Sequence, residues 1–219
     1  MKVFSNTAIS LDGRINTREG RFTTLGTARD HARMSRLRGQ ADAVLVGGAT
    51  FRNWPHPSLP EGDDLLGLPA PFYNVIVTRS LEVPVPAELL AEPRIRPLFL
   101  TRDGVVPAGF PAEYEAYTGP GDSLPISWIL QVLRRRGVQR LLIEAGGDLL
   151  FQFLEADAID EINVTLCPLV IGGPTPSLAS GRGFDFAEMP RLQLMSSEVE
   201  GDEIFLRYAV RRNDAAPQG

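Results

Sequence analysis

Asp12 is the first candidate for chemistry, because it stands beside a glycine at the end of the first hydrophobic run, in Ser10-Leu11-Asp12-Gly13-Arg14. A carboxylate that ends a buried strand can take or hold a proton at a cleft, and the glycine lets the backbone turn beneath a ligand. Asp-Gly is also a common strand-ending turn. The motif alone leaves both interpretations open.

Two glycine pairs, Gly47-Gly48 and Gly146-Gly147, each follow a short apolar run and precede a helical segment. Glycines at such a junction let a ligand approach the backbone, and the free amides at a helix start bind phosphate oxygens. The diphosphate of a dinucleotide suits this arrangement. Neither G-x-G-x-x-G nor a P-loop motif is present, and a tight strand-to-helix turn is the alternative.

The run Thr78-Arg79-Ser80 ends a further strand-like segment. An arginine between two hydroxyls can bind a ribose phosphate through its charge and their hydrogen bonds. Ligands of open α/β sheets bind beyond the carboxyl ends of the strands. Because Asp12, both glycine pairs and Arg79 all follow strand-like runs, the sequence predicts that they share one cleft.

Short β-branched runs alternate with amphipathic segments along the chain, which predicts an α/β fold. The predicted strands cover residues 2–9, 43–46, 74–77, 97–100, 113–117, 141–143 and 161–169, with a C-terminal hairpin of residues 191–199 and 203–210. The predicted helices begin near residues 27, 49, 126 and 148. The proline-rich loop of residues 55–71 is unusually long, which favours a functional role.

The first helix is predicted to begin at Thr27, with Asp30 placed for the reciprocal contact of a capping box. Gly39 is predicted to stop it. Its arginines are predicted to form mostly a solvated face. They are Arg29, Arg33, Arg36 and Arg38.

The composition is ordinary for a globular protein: 219 residues, 43% hydrophobic and 22% charged. We expect one domain over residues 1–211 and a disordered tail over residues 212–219. The net charge of -5 argues against broad binding of nucleic acid. No run approaches the roughly 20 apolar residues that span a bilayer, and no signal-peptide pattern opens the chain. We therefore expect a cytoplasmic protein with no membrane partner.

The sequence predicts no metal site. Cys167 is the single cysteine, and we expect it to act as a small buried hydrophobe. His31 and His56 are the only histidines, and neither has a histidine or glutamate at ligand spacing.

The order and spacing of several motifs resemble the pyrimidine reductase domain of riboflavin biosynthesis, over about residues 2–210. The motifs are residues 5–14 (SNTAISLDGR), Leu37-Arg38, residues 41–50 (ADAVLVGGAT), residues 144–147 (EAGG), residues 160–162 (DEI) and residues 168–173 (PLVIGG). The resemblance implies a dihydrofolate reductase-like three-layer fold: a mixed, mostly parallel central sheet flanked by helices, with a C-terminal antiparallel hairpin. It also implies homodimers formed through the sheet edge near the C-terminal strands.

The activity implied by the resemblance is an NADPH-dependent reduction of a ribosylamino-pyrimidine phosphate, which converts its ribose to a ribityl chain. Asp12 would be the catalytic group beside the reacting ribose, and Asn6 and Glu144 would line the substrate site. A further set of residues would bind NADPH: Gly47 and Thr50 as general cofactor contacts, Gly146, Gly147, Asp148 and Leu149 around the diphosphate, and Thr78, Arg79 and Ser80 at the 2′-phosphate. Hydride would come from the nicotinamide, and the protein would contribute orientation and control of protons.

One segment departs from the family. Its pattern after Gly-x-x-Thr, D-D-P-x-L-T-x-R, ends in an arginine that helps to bind the substrate phosphate, whereas residues 52–60 here read RNWPHPSLP. Pro57 and Leu59 remain, but both acidic residues and the terminal arginine are absent. Arg52 or His56 would have to substitute, and we assign Arg52 to substrate binding.

Two alternatives accompany this hypothesis. One keeps the fold and cofactor but reduces a pterin or another small carbonyl or imine metabolite. The other is an NADPH-binding regulatory protein without turnover, in which Asp12→Asn would change no function.

Overall fold

The computed structural model describes residues 1–20, 24–102 and 106–211, and a nine-stranded sheet forms its centre. The strands are β1 (Lys2–Ile9), β2 (Ala43–Gly47), β3 (Phe72–Val77), β4 (Ile95–Arg102), β5 (Glu113–Tyr117), β6 (Arg140–Ile143), β7 (Glu161–Leu166), β8 (Arg191–Glu200) and β9 (Glu203–Arg211). Their order across the sheet is β5-β4-β3-β2-β6-β1-β7-β9-β8. β1 to β7 run parallel to one another, and β8 and β9 form an antiparallel hairpin against β7.

In the described part of the chain, five α-helices lie against the two faces of this sheet: α1 (Ala28–Gly39), α2 (Gly48–Asn53), α3 (Ala87–Ala91), α4 (Ile126–Arg135) and α5 (Gly147–Glu155). On one face, Leu37 of α1 packs with Phe4, and Phe51 of α2 packs with Leu89 of α3. A separate cluster joins α4 and α5 to the other face of the sheet. The three-layer α/β fold with a C-terminal hairpin is therefore confirmed.

The central strands are buried on both faces, which explains their continuous apolar sequence. Val44 and Leu45 of β2 are almost completely buried and belong to clusters on opposite faces. β5 lies at one edge of the sheet.

The bounds of several elements differ from prediction. β7 ends at Leu166: the Cys167 amide still donates to the Ile9 carbonyl oxygen at 2.8 Å, but the next residue, Pro168, has no amide hydrogen with which to continue the ladder. The short helix α3 and a 3-10 turn at Gly62–Leu65 were not predicted; both are too short for a hydrophobic period to show. The predicted tail at residues 212–219 lies outside the described residues.

The start of α1 differs from the predicted capping box. Thr27 is the N-cap, and its Oγ1 accepts a hydrogen bond from the Arg29 amide. The Thr27 amide, however, donates to Glu203 of β9 at 2.7 Å, and the Thr27 hydroxyl donates to the same carboxylate at 2.6 Å. Glu203, which is distant in sequence, thus accepts the hydrogen bond from the Thr27 amide that was predicted for Asp30. Asp30 does not cap α1.

Within the described residues, every helix is too short or too polar to cross a membrane.

Candidate active site

A large cleft opens at the carboxyl edge of the parallel strands. Because β1, β2, β3 and β6 are parallel neighbours or near neighbours, their carboxyl ends meet at one edge. The cleft has a volume of about 1310 Å³. Sites for one small molecule usually measure about 300–1,000 Å³. The space suits an extended ligand together with a second, smaller one.

Both predicted glycine junctions line this cleft, and the two glycines of each pair have different roles. A Cβ on Gly146 would meet nothing within 4 Å, and one on Gly47 would come only within 3.8 Å of Leu149. In contrast, a Cβ on Gly48 would lie 2.6 Å from Thr78 Oγ1, and one on Gly147 would lie 2.2 Å from the Ser177 carbonyl oxygen. The first glycine of each pair leaves space at the cleft, and the second is required by packing.

Gly146 is the N-cap of α5, so the amides of the first turn of this helix are directed toward the cleft edge. Thr50, Asp148 and Leu149 also line the cleft beside the two junctions. This half of the cleft is therefore surrounded by backbone and small side chains. An elongated group bearing phosphates fits such a lining.

Of the three residues Thr78, Arg79 and Ser80, the structure brings Arg79 to the cleft with an exposed side chain. Thr78 also lines the cleft, but its hydroxyl is buried and donates to the Ser80 carbonyl oxygen at 2.9 Å. Ser80 does not line the cleft. The predicted phosphate contacts of Thr78 and Ser80 are corrected accordingly, because a hydroxyl that closes a turn or points away cannot also hold a phosphate. Arg102, which was not predicted as a site residue, also lines the cleft.

Asn6 and Glu144, which the resemblance assigns to the substrate site, both line the other half of the cleft. Asn6 is 8% exposed, and its Oδ1 has no hydrogen-bond partner among the described residues. Both oxygens of Glu144 accept hydrogen bonds from Arg38, at 2.8 Å and 2.6 Å. Arg38 also donates to the Leu59 carbonyl oxygen at 2.9 Å, which ties the long loop to α1.

The Arg38–Glu144 pair is held away from water, with side chains 15% and 12% exposed. Burial alone would lower the pKa of Arg38, but the charge and hydrogen bonds of Glu144 outweigh burial and raise it. Arg38 is therefore a fixed cation in the cleft wall, and it holds the Glu144 side chain in one orientation.

The structure does not bring Asp12 into the cleft. Its carboxylate accepts hydrogen bonds from the Ser10 hydroxyl at 2.7 Å and from the Ile171 and Gly172 amides at 3.0 and 2.7 Å. The bonds from Ser10 and Ile171 are the main causes that lower the pKa of Asp12 to about 2. A carboxylate that is ionised at neutral pH and occupied by a loop is not a proton donor, so we reassign Asp12 to holding this loop.

Arg52 also lies outside the cleft, on the exposed side of α2. Its predicted role in substrate binding is corrected, because α2 turns that side chain away from the cleft. His56 does line the cleft and packs against Trp54 at 4.3 Å between ring centroids. The predicted functional loop thus forms one wall, and Asn74 of β3 anchors it by accepting a hydrogen bond from the Ser58 amide.

Two residues of α1 that line the cleft, Arg38 and Asp30, were not predicted as site residues. The arginine was assigned to a solvated face and the aspartate to a cap, yet both line the cleft. Their spacing carried a signal. Asp30, Met34, Leu37 and Arg38 fall at positions i, i+4, i+7 and i+8, so they share the helix face that carries the buried Leu37.

Cys167 is buried and unpaired, which confirms its expected role as a small core residue. Burial, reinforced by the negative charges of Asp30 and Glu203, raises the pKa of its thiol to about 12. A thiol in this state is a poor nucleophile, and the chemistry of the cleft must come from other groups.

Comparison with known proteins adds to this geometry. The family model described as the RibD C-terminal domain matches residues 1–206. The chain is 29% identical over 221 residues to the 2,5-diamino-6-ribosylamino-4(3H)-pyrimidinone 5′-phosphate reductase of Archaeoglobus fulgidus, covering 94% of this chain and 97% of that one. It is 27% identical to the protein of the same name from Methanothermobacter thermautotrophicus, covering 95% and 98% of the two chains.

Solved structures show the same fold. Acinetobacter baumannii RibD aligns with a TM-score of 0.78 and 20% identity, over 96% of this chain and 58% of that one. A pyrimidine reductase-like protein from Corynebacterium diphtheriae aligns with a TM-score of 0.76 and 22% identity, over 96% and 92% of the two chains. This chain therefore spans little more than half of the RibD chain but nearly all of the shorter proteins.

Proposed function

The chain belongs to the RibD C-terminal domain family, and we propose that it reduces a ribosylamino-pyrimidine phosphate with NADPH as a step of riboflavin biosynthesis. The observation that carries the proposal is the match over residues 1–206 to a family whose relatives of the same length are named as reductases of this substrate class. A cleft with one backbone-lined half and one polar half supports it.

The backbone-lined half is proposed to bind the dinucleotide. Gly47 and Gly146 leave open space for a close approach, and Thr50, Asp148 and Leu149 complete the lining. Arg79 would bind the 2′-phosphate at the rim. When bound there, the nicotinamide ring supplies the hydride.

The polar half is proposed to bind the substrate. Asn6 offers an amide with an unpaired oxygen, and Glu144 offers a carboxylate whose orientation Arg38 fixes. A pyrimidine with amino and carbonyl groups needs such donors and acceptors. The loop carrying His56 and the segment around Thr175 would close over it.

The decisive experiment is an assay of purified protein for NADPH oxidation with two candidate substrates. One is 2,5-diamino-6-ribosylamino-4(3H)-pyrimidinone 5′-phosphate, the compound in the names of the archaeal relatives. The other is 5-amino-6-(5-phosphoribosylamino)uracil, the compound in the name of a structural neighbour. Turnover of either supports the proposal. Turnover only of a pterin would favour the alternative reductase, which the altered residues 52–60 motivate. Binding of NADPH without turnover of any compound would favour the regulatory alternative.

Arg79→Ala is expected to weaken NADPH binding by about 10- to 100-fold, because a charge-assisted contact to the 2′-phosphate is lost. NADH has no 2′-phosphate, so its affinity should change by less than about twofold. Fluorescence titration of both nucleotides measures the difference. Arg79→Lys is the matched control, since it keeps the charge but not the planar fork. Equal weakening of both nucleotides would remove this assignment.

We further propose that the protein is a homodimer formed through the C-terminal hairpin. β8 is an edge strand whose apolar residues Leu192, Leu194 and Val199 are exposed. The register pairs them with Val210, Tyr208 and Ile204 of β9, so they extend one apolar face of the hairpin. An exposed apolar edge strand is a template for association, and a second copy presents a self-complementary surface.

Sedimentation analysis is expected to give twice the chain mass for the wild-type protein and the single chain mass for Leu194→Lys. Leu66→Lys is the matched control, because Leu66 is also an exposed leucine but directly follows the 3-10 turn, away from the hairpin. A monomeric wild-type protein, or a dimer that Leu194→Lys leaves intact, would contradict the proposal.

A further inference from the structure

Asp30 is a buried carboxyl in the wall of the polar half of the cleft. Its residue is 7% exposed, yet it lines the cleft together with Asn6 and Glu144. Within the described part of the chain, Asp30 Oδ1 has no hydrogen-bond partner. Buried polar atoms are nearly always hydrogen-bonded, because an unpaired one loses its hydration and gains no hydrogen bond in exchange. The position of Asp30 therefore calls for an explanation beyond packing.

The groups that face Asp30 come from four elements. Glu203 of β9 and Glu144 after β6 contribute negative charge, and His31 of α1 contributes the opposing charge. Thr165 of β7 places its hydroxyl against the Asp30 carboxyl, where hydrogen bonding favours the ionised form. Cys167, just after β7, contributes a thiol.

Two other arginines of α1 are directed to other partners. Arg33 lies 5.2 Å over the Phe205 ring and 3.9 Å from Glu198, and Arg38 is bound to Glu144. Burial, followed by repulsion from Glu203 and Glu144, raises the pKa of Asp30, although Thr165 and His31 oppose the shift. The environment therefore favours the neutral acid.

The other carboxylates of the cleft wall are differently placed. Both Glu144 oxygens are taken by Arg38. Asp148 is exposed in the first turn of α5, within the backbone-lined half. Glu61 is exposed, at the end of the long loop. Among the described residues, Asp30 is thus the buried carboxyl of the polar half that is free to carry a proton.

We propose that Asp30 is the general acid of the reaction and donates its proton to the ring oxygen of the substrate ribose. This inference rests on the proposed function and names the residue that controls its proton. As the bond between C1′ and the ring oxygen breaks, the amine nitrogen donates its electron pair and forms a C1′=N double bond. The ring oxygen leaves as a hydroxyl group that carries the proton from Asp30.

The atoms and electrons of the reaction then balance. One hydride adds to C1′ and the C=N electron pair returns to nitrogen, so the product is the open-chain ribityl amine. The overall change is one hydride and one proton, and the proton is the one that Asp30 held. Asp30 is left as a carboxylate and regains a proton from solvent, which the open cleft admits after product leaves.

Asp30→Asn tests the proposal, because asparagine keeps the shape and removes the proton. We expect kcat to fall by about 10²- to 10⁴-fold, the usual contribution of a general acid, while NADPH affinity stays within about twofold. Wild-type kcat should decline as pH rises through the raised pKa of Asp30, and the variant should lose that decline. Glu88→Gln, at an exposed position on α3, is the matched control and should behave as wild type.

Thermal stability separates this role from a structural one. Because the folded-state pKa of Asp30 lies above its ordinary value of 3.8, its contribution to stability is present at low pH and is lost as pH rises through the folded pKa. Asp30→Asn should therefore have a Tm at pH 8 no lower than that of wild type, although it is nearly inactive. A structural role would instead lower Tm and activity together.

Two further measurements keep the test decisive if Asp30→Asn folds poorly. Glu203→Gln removes one repelling charge, so the declining limb of the kcat profile should move to lower pH. A ¹³C NMR titration should show the Asp30 carboxyl changing state above its ordinary range in the free protein. Turnover by wild type together with an unchanged pH profile in Asp30→Asn would overturn this inference alone, whereas absence of turnover by wild type would overturn the proposed function and this inference with it.

Discussion

Arg38→Met is expected to lower the free energy of unfolding by about 3–5 kcal/mol, because it leaves the Glu144 carboxylate buried without a partner. The two side chains are 15% and 12% exposed and joined by two hydrogen bonds. The third bond of Arg38, to the Leu59 carbonyl, is lost as well. Because single domains are stable by only about 5–15 kcal/mol, the variant should unfold at a much lower urea concentration.

The double variant Arg38→Met with Glu144→Gln completes a mutant cycle. Removing both charges should recover much of the lost stability, since neither residue then leaves an uncompensated buried charge. Activity should not recover, because the proposed function uses the Glu144 carboxylate at the substrate. A cost below about 1 kcal/mol for Arg38→Met, as for exposed ion pairs, would contradict the buried character of this pair.

Gly147→Ala is expected to destabilise the protein by about 1–3 kcal/mol, the usual range for overpacking, and to abolish measurable binding of NADPH. Its Cβ would lie 2.2 Å from the Ser177 carbonyl oxygen and 3.0 Å from the Ser180 amide nitrogen. These are backbone atoms, so the segment itself would have to move. The Ser180 amide donates to the Gly147 carbonyl oxygen at 3.0 Å, and that bond would be strained too.

Gly146→Ala is the matched control one residue earlier. Its Cβ would meet nothing within 4 Å, so Tm should stay within a few degrees of wild type. Affinity for NADPH should nevertheless fall by at least about tenfold, because the methyl group would occupy space proposed for the diphosphate. Calorimetric unfolding and nucleotide titration of both variants measure the two effects separately. Unchanged affinity in Gly146→Ala would remove the diphosphate from this junction.

The strands and longer helices could be predicted from sequence because their signals are local. β2 is a continuous apolar run that ends at a glycine pair, and α4 carries a clear apolar stripe. Both glycine pairs could be placed at the cleft because parallel strands bring their carboxyl ends to one edge. The motif order that resembles the reductase family is likewise a property of the linear chain.

The local signals failed where a residue's partner lies far away in sequence. Asp12 has the sequence context of a catalytic carboxylate, but amides about 160 residues later occupy it. Arg38 has the sequence context of a solvated arginine, but in the fold it forms a buried pair with Glu144, which lies 106 residues away in sequence. In both cases the environment of the charge, and not its type, decides its role.

By itself, the sequence determined the α/β fold, the family and the edge of the sheet where ligands must meet. The reason is that the periodicity of apolar residues and the positions of glycines determine local structure within a few residues. Only the tertiary structure decided which carboxylates are fixed by partners and which one can exchange a proton. The protonation of a carboxyl depends on burial and on charges brought close by folding. Asp12 and Asp30 are the same residue type in different surroundings, and only folding supplies those surroundings.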